Sequence, residues 1–353
     1  MHTSSLGPAQ PATFKQPAAF TKPAALTQPA AVTQPAAFTQ PAAFLWHGRN
    51  DYDEIGSTER WHNRMQAFSS STRGGVGLIG FACDEGVRRN GGRPGAAAGP
   101  NAIRAALANM PVSNEPPLCD AGNIVCEAEQ LEAAQTALAR RVTQLLVQQI
   151  HPLVLGGGHE VAWGTFQGLT NAGVRKLLII NLDAHFDLRH DSQANSGTPF
   201  CQMQQWCTSH DTRFDYRVFG ISRFANTGAL FERAKVFGVR YWSDEDLQSE
   251  ADLHAARQAL DRDLAASEAV YLTVCLDVLP SATAPGVSAP ATLGVPLSLV
   301  ERLIDHIMQS GRVVAADLAE MNPAVDCDGV TARVAARLTA RIARAWSAKV
   351  ATD

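Results

Sequence analysis

Six short apolar runs constrain the fold of this chain more than any other feature: VGLIGF (76 to 81), PLVLG (152 to 156), KLLIINL (176 to 182), YRVFGI (216 to 221), AVYLTVCL (269 to 276) and RVVAADL (312 to 318). A strand with one wet face alternates apolar and polar residues; most of these runs are apolar at successive positions, so both faces must be covered, as in a parallel sheet. The stretches 129 to 149, 253 to 266 and 297 to 310 carry apolar residues at three- and four-residue intervals and read as amphipathic helices. Strand and helix in alternation predict an α/β architecture, with the sheet sandwiched between helices. With 46% hydrophobic and 18% charged residues, the chain can bury the core of one large domain.

That domain is predicted over residues 46–353. Residues 1–45 differ in kind, because prolines recur at Pro11, Pro17, Pro23, Pro29, Pro35 and Pro41 in units such as PAAFTQ. Proline at every sixth position denies the segment a long helix or a central strand, and the sequence predicts a disordered, low-complexity tail there. The net charge of -4, without a basic block, excludes the electrostatic footprint of a nucleic-acid or anionic-membrane binder and points to small-molecule partners. Seven scattered cysteines without a C-x-x-C pair predict reduced thiols and a cytoplasmic location. No apolar run reaches the ~18 residues of a membrane span, and the N-terminus has no export signal, so neither export nor insertion is expected.

Polar clusters stand at the ends of three predicted strands: GGGHE (156 to 160), DAHFDLR (183 to 189) and CLDVLP (275 to 280). Open parallel sheets bind ligands at the carboxyl ends of their strands, so His159, Asp183, His185, Asp187 and Asp277 can converge from distant parts of the chain. The i, i+2, i+4 spacing of Asp183, His185 and Asp187 projects all three to one side of an extended segment. Carboxylates gathered in a cleft repel one another unless a cation neutralises them. Mixed oxygen and imidazole donors suit Mn2+ best, with Zn2+, Fe2+ or Co2+ as alternatives, whereas Ca2+ or Mg2+ favour oxygen alone. His190, His210 and His254 have no ligand spacing and read as surface residues.

Several motifs in order, GFACDEGVRRNGGRPGAAAGPNAIR (80 to 104), LGGGHEVAWGTFQGL (155 to 169), NLDAHFDLR (181 to 189), SGTPF (196 to 200), GISRFANT (220 to 227) and LDVLPSATAPGVSAPA (276 to 291), resemble the arginase family of ureohydrolases and, within it, its formimidoylglutamase branch. The resemblance implies a three-layer α/β/α sandwich around a mostly parallel, eight-stranded sheet. It also implies two Mn2+ per chain, bridged by hydroxide, and often a homo-oligomer. Carried over by position, the metal ligands fall on His159, Asp183, His185, Asp187, Cys275 and Asp277. The family motif D-x-D reads Cys275-Leu276-Asp277 here, so a soft sulfur stands where two hard carboxylate oxygens are expected. That departure leaves open an altered metal pair, a single metal, or a weakened site.

The family chemistry is hydrolysis of an amidine or guanidine carbon by metal-activated water, with N-formimidoyl-L-glutamate as the substrate of this branch and L-glutamate and formamide as products. Asp277 is expected to relay the proton to the leaving nitrogen and Glu320 to hold the cationic end of the substrate. Arg93, Arg189, Asn195, Ser196, Thr198 and Arg223 are the candidates for its carboxylates. A ureohydrolase acting on another guanidino or amidine substrate, and a weak or inactive homologue that binds ligand because of Cys275, are the alternatives.

Overall fold

A computed structural model of the chain describes Phe38–Thr39 and residues 46–347. Its strands are β1 (Phe38–Thr39), β2 (Met65–Ala67), β3 (Val76–Ala82), β4 (Leu118–Val125), β5 (His151–Leu155), β6 (Leu177–Leu182), β7 (Asp215–Ile221), β8 (Arg240–Ser243), β9 (Ala269–Cys275) and β10 (Val313–Ala319). The helices are α1 (Trp61–Arg64), α2 (Glu85–Arg89), α3 (Gly99–Ala108), α4 (Leu131–Val147), α5 (Val161–Asn171), α6 (Pro199–Ser209), α7 (Gly228–Val236), α8 (Glu250–Ala266), α9 (Leu297–Gln309) and α10 (Val330–Ala345). All six strands expected from the apolar runs form, within a residue of their predicted bounds, and the three predicted helices form as α4, α8 and α9.

The strands make one sheet in the order β4-β3-β5-β10-β9-β6-β7-β8, and every pairing along this path is parallel. This is the expected eight-stranded parallel sheet, with two short additions on the outer edge of β4. There β2 pairs parallel with Leu118–Asp120, and β1 pairs antiparallel with Asn123 and Ile124. The predicted disordered tail lies outside the described residues except at β1, where Phe38 and Thr39 take a place on the sheet edge instead.

Side chains alternate along each strand between two cores. Leu78, Leu153, Leu155, Leu178, Ile180 and Leu182 face the layer of α3, α8, α9 and α10, while Ile79, Val154, Leu177 and Ile179 face that of α4, α5, α6 and α7. Both faces are thus dry, the reason the runs lack polar alternation.

β4, LCDAGNIV, and the short edge strand β8 were not among the expected strands. The polar residues of β4 are buried because α3 supplies partners. Arg104, fully buried, donates to both oxygens of Asp120 at 2.9 Å and to Asn123 Oδ1 at 2.6 Å. Trp46 Nε1 donates to Asp120 Oδ2 at 2.7 Å, which ties the first residue of the predicted domain to the sheet. No described helix is long and apolar enough to cross a membrane.

Candidate active site

Four adjacent strands, β5, β10, β9 and β6, carry the predicted ligands and Glu320 at their carboxyl ends. Register makes the convergence: Leu182 pairs with Val274, and Ala319 with Cys275, so Asp183, Cys275 and Glu320 emerge near one rung. His159 enters from the loop after β5. That loop is glycine because backbone crowds it: a Cβ on Gly157 would lie 1.6 Å from the Cys83 carbonyl oxygen.

The donor atoms fall into two groups that share Asp183. His159, Asp183 and Cys275 form one, and Asp183, His185 and Asp277 the other, with the atoms of each within 4.8 Å of one another. Asp183 turns Oδ2 to His159 Nδ1 at 2.9 Å and Oδ1 to His185 Nδ1 at 3.5 Å. Asp187 Oδ2 lies 2.9 Å from His159 Nδ1, and Asp277 Oδ2 lies 3.1 Å from His185 Nδ1. Every metal ligand expected from the sequence is therefore brought together.

His159 tests whether this group fits a cation. Its Nε2 lies 2.9 Å from Thr273 Oγ1, while buried Nδ1 faces two carboxylate oxygens and has hydrogen-bond geometry to neither. With the ring proton on Nε2, a lone pair and two anionic oxygens converge on one point, an arrangement that a positive ion stabilises. The residues fit a divalent pair, one position having nitrogen, oxygen and sulfur donors and the other nitrogen and oxygen only.

The charges respond to this crowding. Burial disfavours a protonated His159, but contacts with Asp183 and Asp187 outweigh it and hold its pKa well above the usual value. For His185 the carboxylates of Asp277 and Asp183 likewise prevail over burial. Burial and the charge of Asp183 raise Asp187 to about 6. Burial, then the charges of Glu160 and Asp277, push Glu320 up to about 8. Cys275, 2% exposed, has its thiol raised by burial and by the charges of Asp183, Asp277 and Glu320. Asp187 (φ 48°) and Glu320 (φ 73°) both have left-handed backbones, which cost non-glycine residues ~1–3 kcal/mol each and cluster at functional sites.

A cleft of about 330 Å³ opens above these residues. Its floor is formed by His159, His185, Asp187, Cys275, Asp277 and Glu320, and its rim by Asn90, Arg93, Arg189, Ser196 and Ser288 among others. Glu320 Oε1 accepts the His159 backbone N–H at 3.0 Å, while its buried Oε2 has no partner. A larger cavity of about 550 Å³ lies at the opposite ends of β6 and β7, around Arg175, Lys176 and Arg213. It contains none of the converging donors, so the smaller cleft is the chemical one.

Of the predicted rim residues, Arg93, Arg189 and Ser196 line the cleft, and Asn195, Thr198 and Arg223 do not. Asn195 and Thr198 spend their polar atoms on their own turn: Asn195 Oδ1 accepts from Gly197 N at 3.0 Å, and Thr198 Oγ1 donates to Asn195 O at 2.9 Å. Arg223 is exposed and pairs with Glu245 at 3.5 Å. Arg93 is held in place, its guanidinium donating to the carbonyls of Ser288 and Val287. Sequence reasoning missed Asn90, whose Nδ2 donates to Ser196 Oγ at 3.1 Å, and Thr273, which positions His159. Thr273 was findable, since it precedes Cys275 by two residues and so shares its face of β9. His190, His210 and His254 are exposed, as expected.

Comparison with known proteins agrees with this geometry. Residues 75–344 match the model of the arginase family. The chain is 51% identical over 306 residues to a formimidoylglutamase of Cupriavidus pinatubonensis, covering 84% of this chain and 96% of that protein. It is 51% identical to one of Hahella chejuensis, covering 85% and 94%. Among solved structures, formimidoylglutamase from Bacillus subtilis superposes with a TM-score of 0.73 at 21% identity, over 85% of this chain and 97% of that one. Trypanosoma cruzi formiminoglutamase with Mn2+ gives 0.68 at 23%, over 88% and 99%. With its parallel sheet, its paired donor groups at the strand ends and a family match over most of its length, the chain belongs to the arginase family.

Proposed function

We propose that this chain hydrolyses N-formimidoyl-L-glutamate to L-glutamate and formamide, as a metal-dependent C–N hydrolase of linear amidines. The observation that carries the reading is half-identity to formimidoylglutamases along nearly their whole length, joined to a cleft that is acidic at its floor and basic at its rim. That polarity matches a substrate with a cationic amidinium at one end and carboxylates at the other.

The metal would be a divalent pair, two Mn2+ by family likeness, held by His159, Asp183, Asp187 and Cys275 on one side and by Asp183, His185 and Asp277 on the other. Such ions, when bound, supply Lewis acidity: they lower the pKa of water toward neutrality and offset the carboxylate charge. The protein's own groups do the rest. Glu320, with one oxygen committed to the His159 backbone and the other unpaired, orients the amidinium by an ion pair. Arg189 at the rim, with Asn90 and Ser196, holds a glutamate carboxylate, while Arg93 shapes the wall from its fixed position. Asp277, beside His185 on the cleft floor, carries a proton to the departing glutamate nitrogen. Tethering both substrate ends fixes the reacting carbon over the floor. Small-molecule chemistry in the cytoplasm and a homo-oligomeric assembly belong to the same reading.

The test is substrate profiling of metal-replete protein. Formamide and glutamate released from N-formimidoyl-L-glutamate, with kcat/KM at least about 100-fold above that for guanidino compounds such as arginine, is expected. Faster release of urea from a guanidino compound would transfer the assignment to another ureohydrolase activity. No turnover of either class would leave a ligand-binding homologue.

A further inference from the structure

Cys83 and Cys126 follow the ends of neighbouring parallel strands, β3 and β4, outside the set of residues given catalytic roles. The last paired residues are Ala82 and Val125, and Cys126 N–H donates to the Ala82 carbonyl at 3.1 Å, so the ladder runs on into the two cysteines. Strands in a sheet lie about 4.8 Å apart, within the ~4.4–6.8 Å between Cα atoms that a disulfide spans. Both side chains belong to the cluster formed by Ile79, Phe81, Leu131 and Val161, where Cys83 is buried and Cys126 half-buried. The Cys126 side chain, with burial, raises the pKa of Cys83, while the Cys83 side chain lowers that of Cys126.

Cys83 also supports the loop that presents His159. Its carbonyl accepts the Gly158 N–H at 3.0 Å, and Gly157 packs against the same oxygen with no room for a side chain. A shift of the Cys83 backbone would therefore reach GGGHE directly. Neither cysteine is a proposed metal ligand, and all seven cysteines of the chain are free.

We propose that Cys83 and Cys126 form a reversible dithiol–disulfide pair whose oxidation disturbs the His159 loop. The co-reactant is a small disulfide of the glutathione type. The partly accessible Cys126 sulfur attacks one of its sulfurs, forming a mixed disulfide and expelling one small thiol; the Cys83 sulfur then attacks Cys126, expelling the second. Two protein thiols are oxidised and one small disulfide is reduced to two thiols, which take up the two protons. The coupling to metal binding rests on the proposed ligand role of His159; the cross-link does not.

The experiment treats full-length protein with glutathione disulfide, blocks remaining thiols by alkylation and maps peptides by mass spectrometry. A peptide joining Cys83 to Cys126, lost again on treatment with dithiothreitol, is expected. Cys83→Ser should instead accumulate a mixed disulfide at Cys126, and Cys327→Ser, at the exposed cysteine, should cross-link like wild type. A wild type that gives no Cys83–Cys126 peptide, or that stops at the mixed disulfide, overturns the proposal. In parallel, Mn2+ titration of oxidised and reduced protein should show binding weakened about tenfold or more by oxidation. Cross-linking with unchanged affinity overturns the coupling, and no Mn2+ binding by the reduced protein refutes the metal reading instead.

Discussion

Without its metal, this protein should lose stability as pH rises from 6 to 8. Glu320 has an ordinary pKa of 4.5 and is raised to about 8 in the fold, so between those values the folded state holds a proton that the unfolded state has released. Stability then falls with rising pH, by ~1.4 kcal/mol per pH unit for one such group, until the folded pKa is reached. From pH 6 to pH 8 the loss assigned to Glu320 is about 2 kcal/mol, because the fall flattens near 8. For roughly 300 ordered residues, with an unfolding entropy of ~2.1 cal/mol/K each, that lowers Tm by about 3 °C. Asp187, raised to about 6, and Glu160, raised to about 7 chiefly by burial, act in the same direction, as do the raised histidines His159 and His185. Asp183, the one lowered carboxylate of the cluster, acts only below its unfolded value of 3.8, outside this window. Scanning calorimetry of chelator-stripped protein at the two pH values measures the fall, and Glu320→Gln should remove about 2 kcal/mol of it. Bound Mn2+ should reverse the trend, because ionised carboxylates and neutral imidazoles are the forms that ligate. A metal-free Tm that is flat or rising from pH 6 to 8, or a Glu320→Gln variant with the full wild-type slope, refutes the reasoning.

Cys275→Asp replaces one soft donor by two hard oxygens, so Mn2+ should bind more tightly and remain nearer two per chain after dialysis; an unchanged count and affinity in metal analysis would show that Cys275 does not face the ion. Arg189→Ala should raise KM about 10- to 100-fold with kcat little changed, the loss of a charge-assisted contact of ~1.5–3 kcal/mol. Arg93→Ala, which also frees the Val287 and Ser288 carbonyls, should lower kcat as well; steady-state kinetics that reverse the two patterns would exchange their roles. Gly157→Ala drives a methyl into the Cys83 carbonyl and should cost ~3 kcal/mol or more in denaturant melts, whereas a loss under ~1 kcal/mol would mean that the loop yields.

The sequence by itself determined the parallel sheet and the gathering of His159, Asp183, His185, Asp187, Cys275 and Asp277 at the carboxyl ends of its strands. Runs such as AVYLTVC can be dry on both faces only in the middle of a covered sheet, and polar residues at the ends of such strands have one place to gather. Local pattern could not reveal β4, because burial of Asp120 and Asn123 depends on Arg104 arriving from α3. Nor could it sort the rim. Asn195 and Thr198 look as suitable as Ser196 in the one-dimensional string, yet their polar atoms are consumed by their own turn, while Ser196 faces the cleft. The pairing of Cys83 with Cys126 and the placing of Thr273 under His159 are likewise products of strand register. Side-chain type and spacing fix which faces must be dry; which polar group finds a partner, and which is left free for a ligand, depends on neighbours that only tertiary packing supplies.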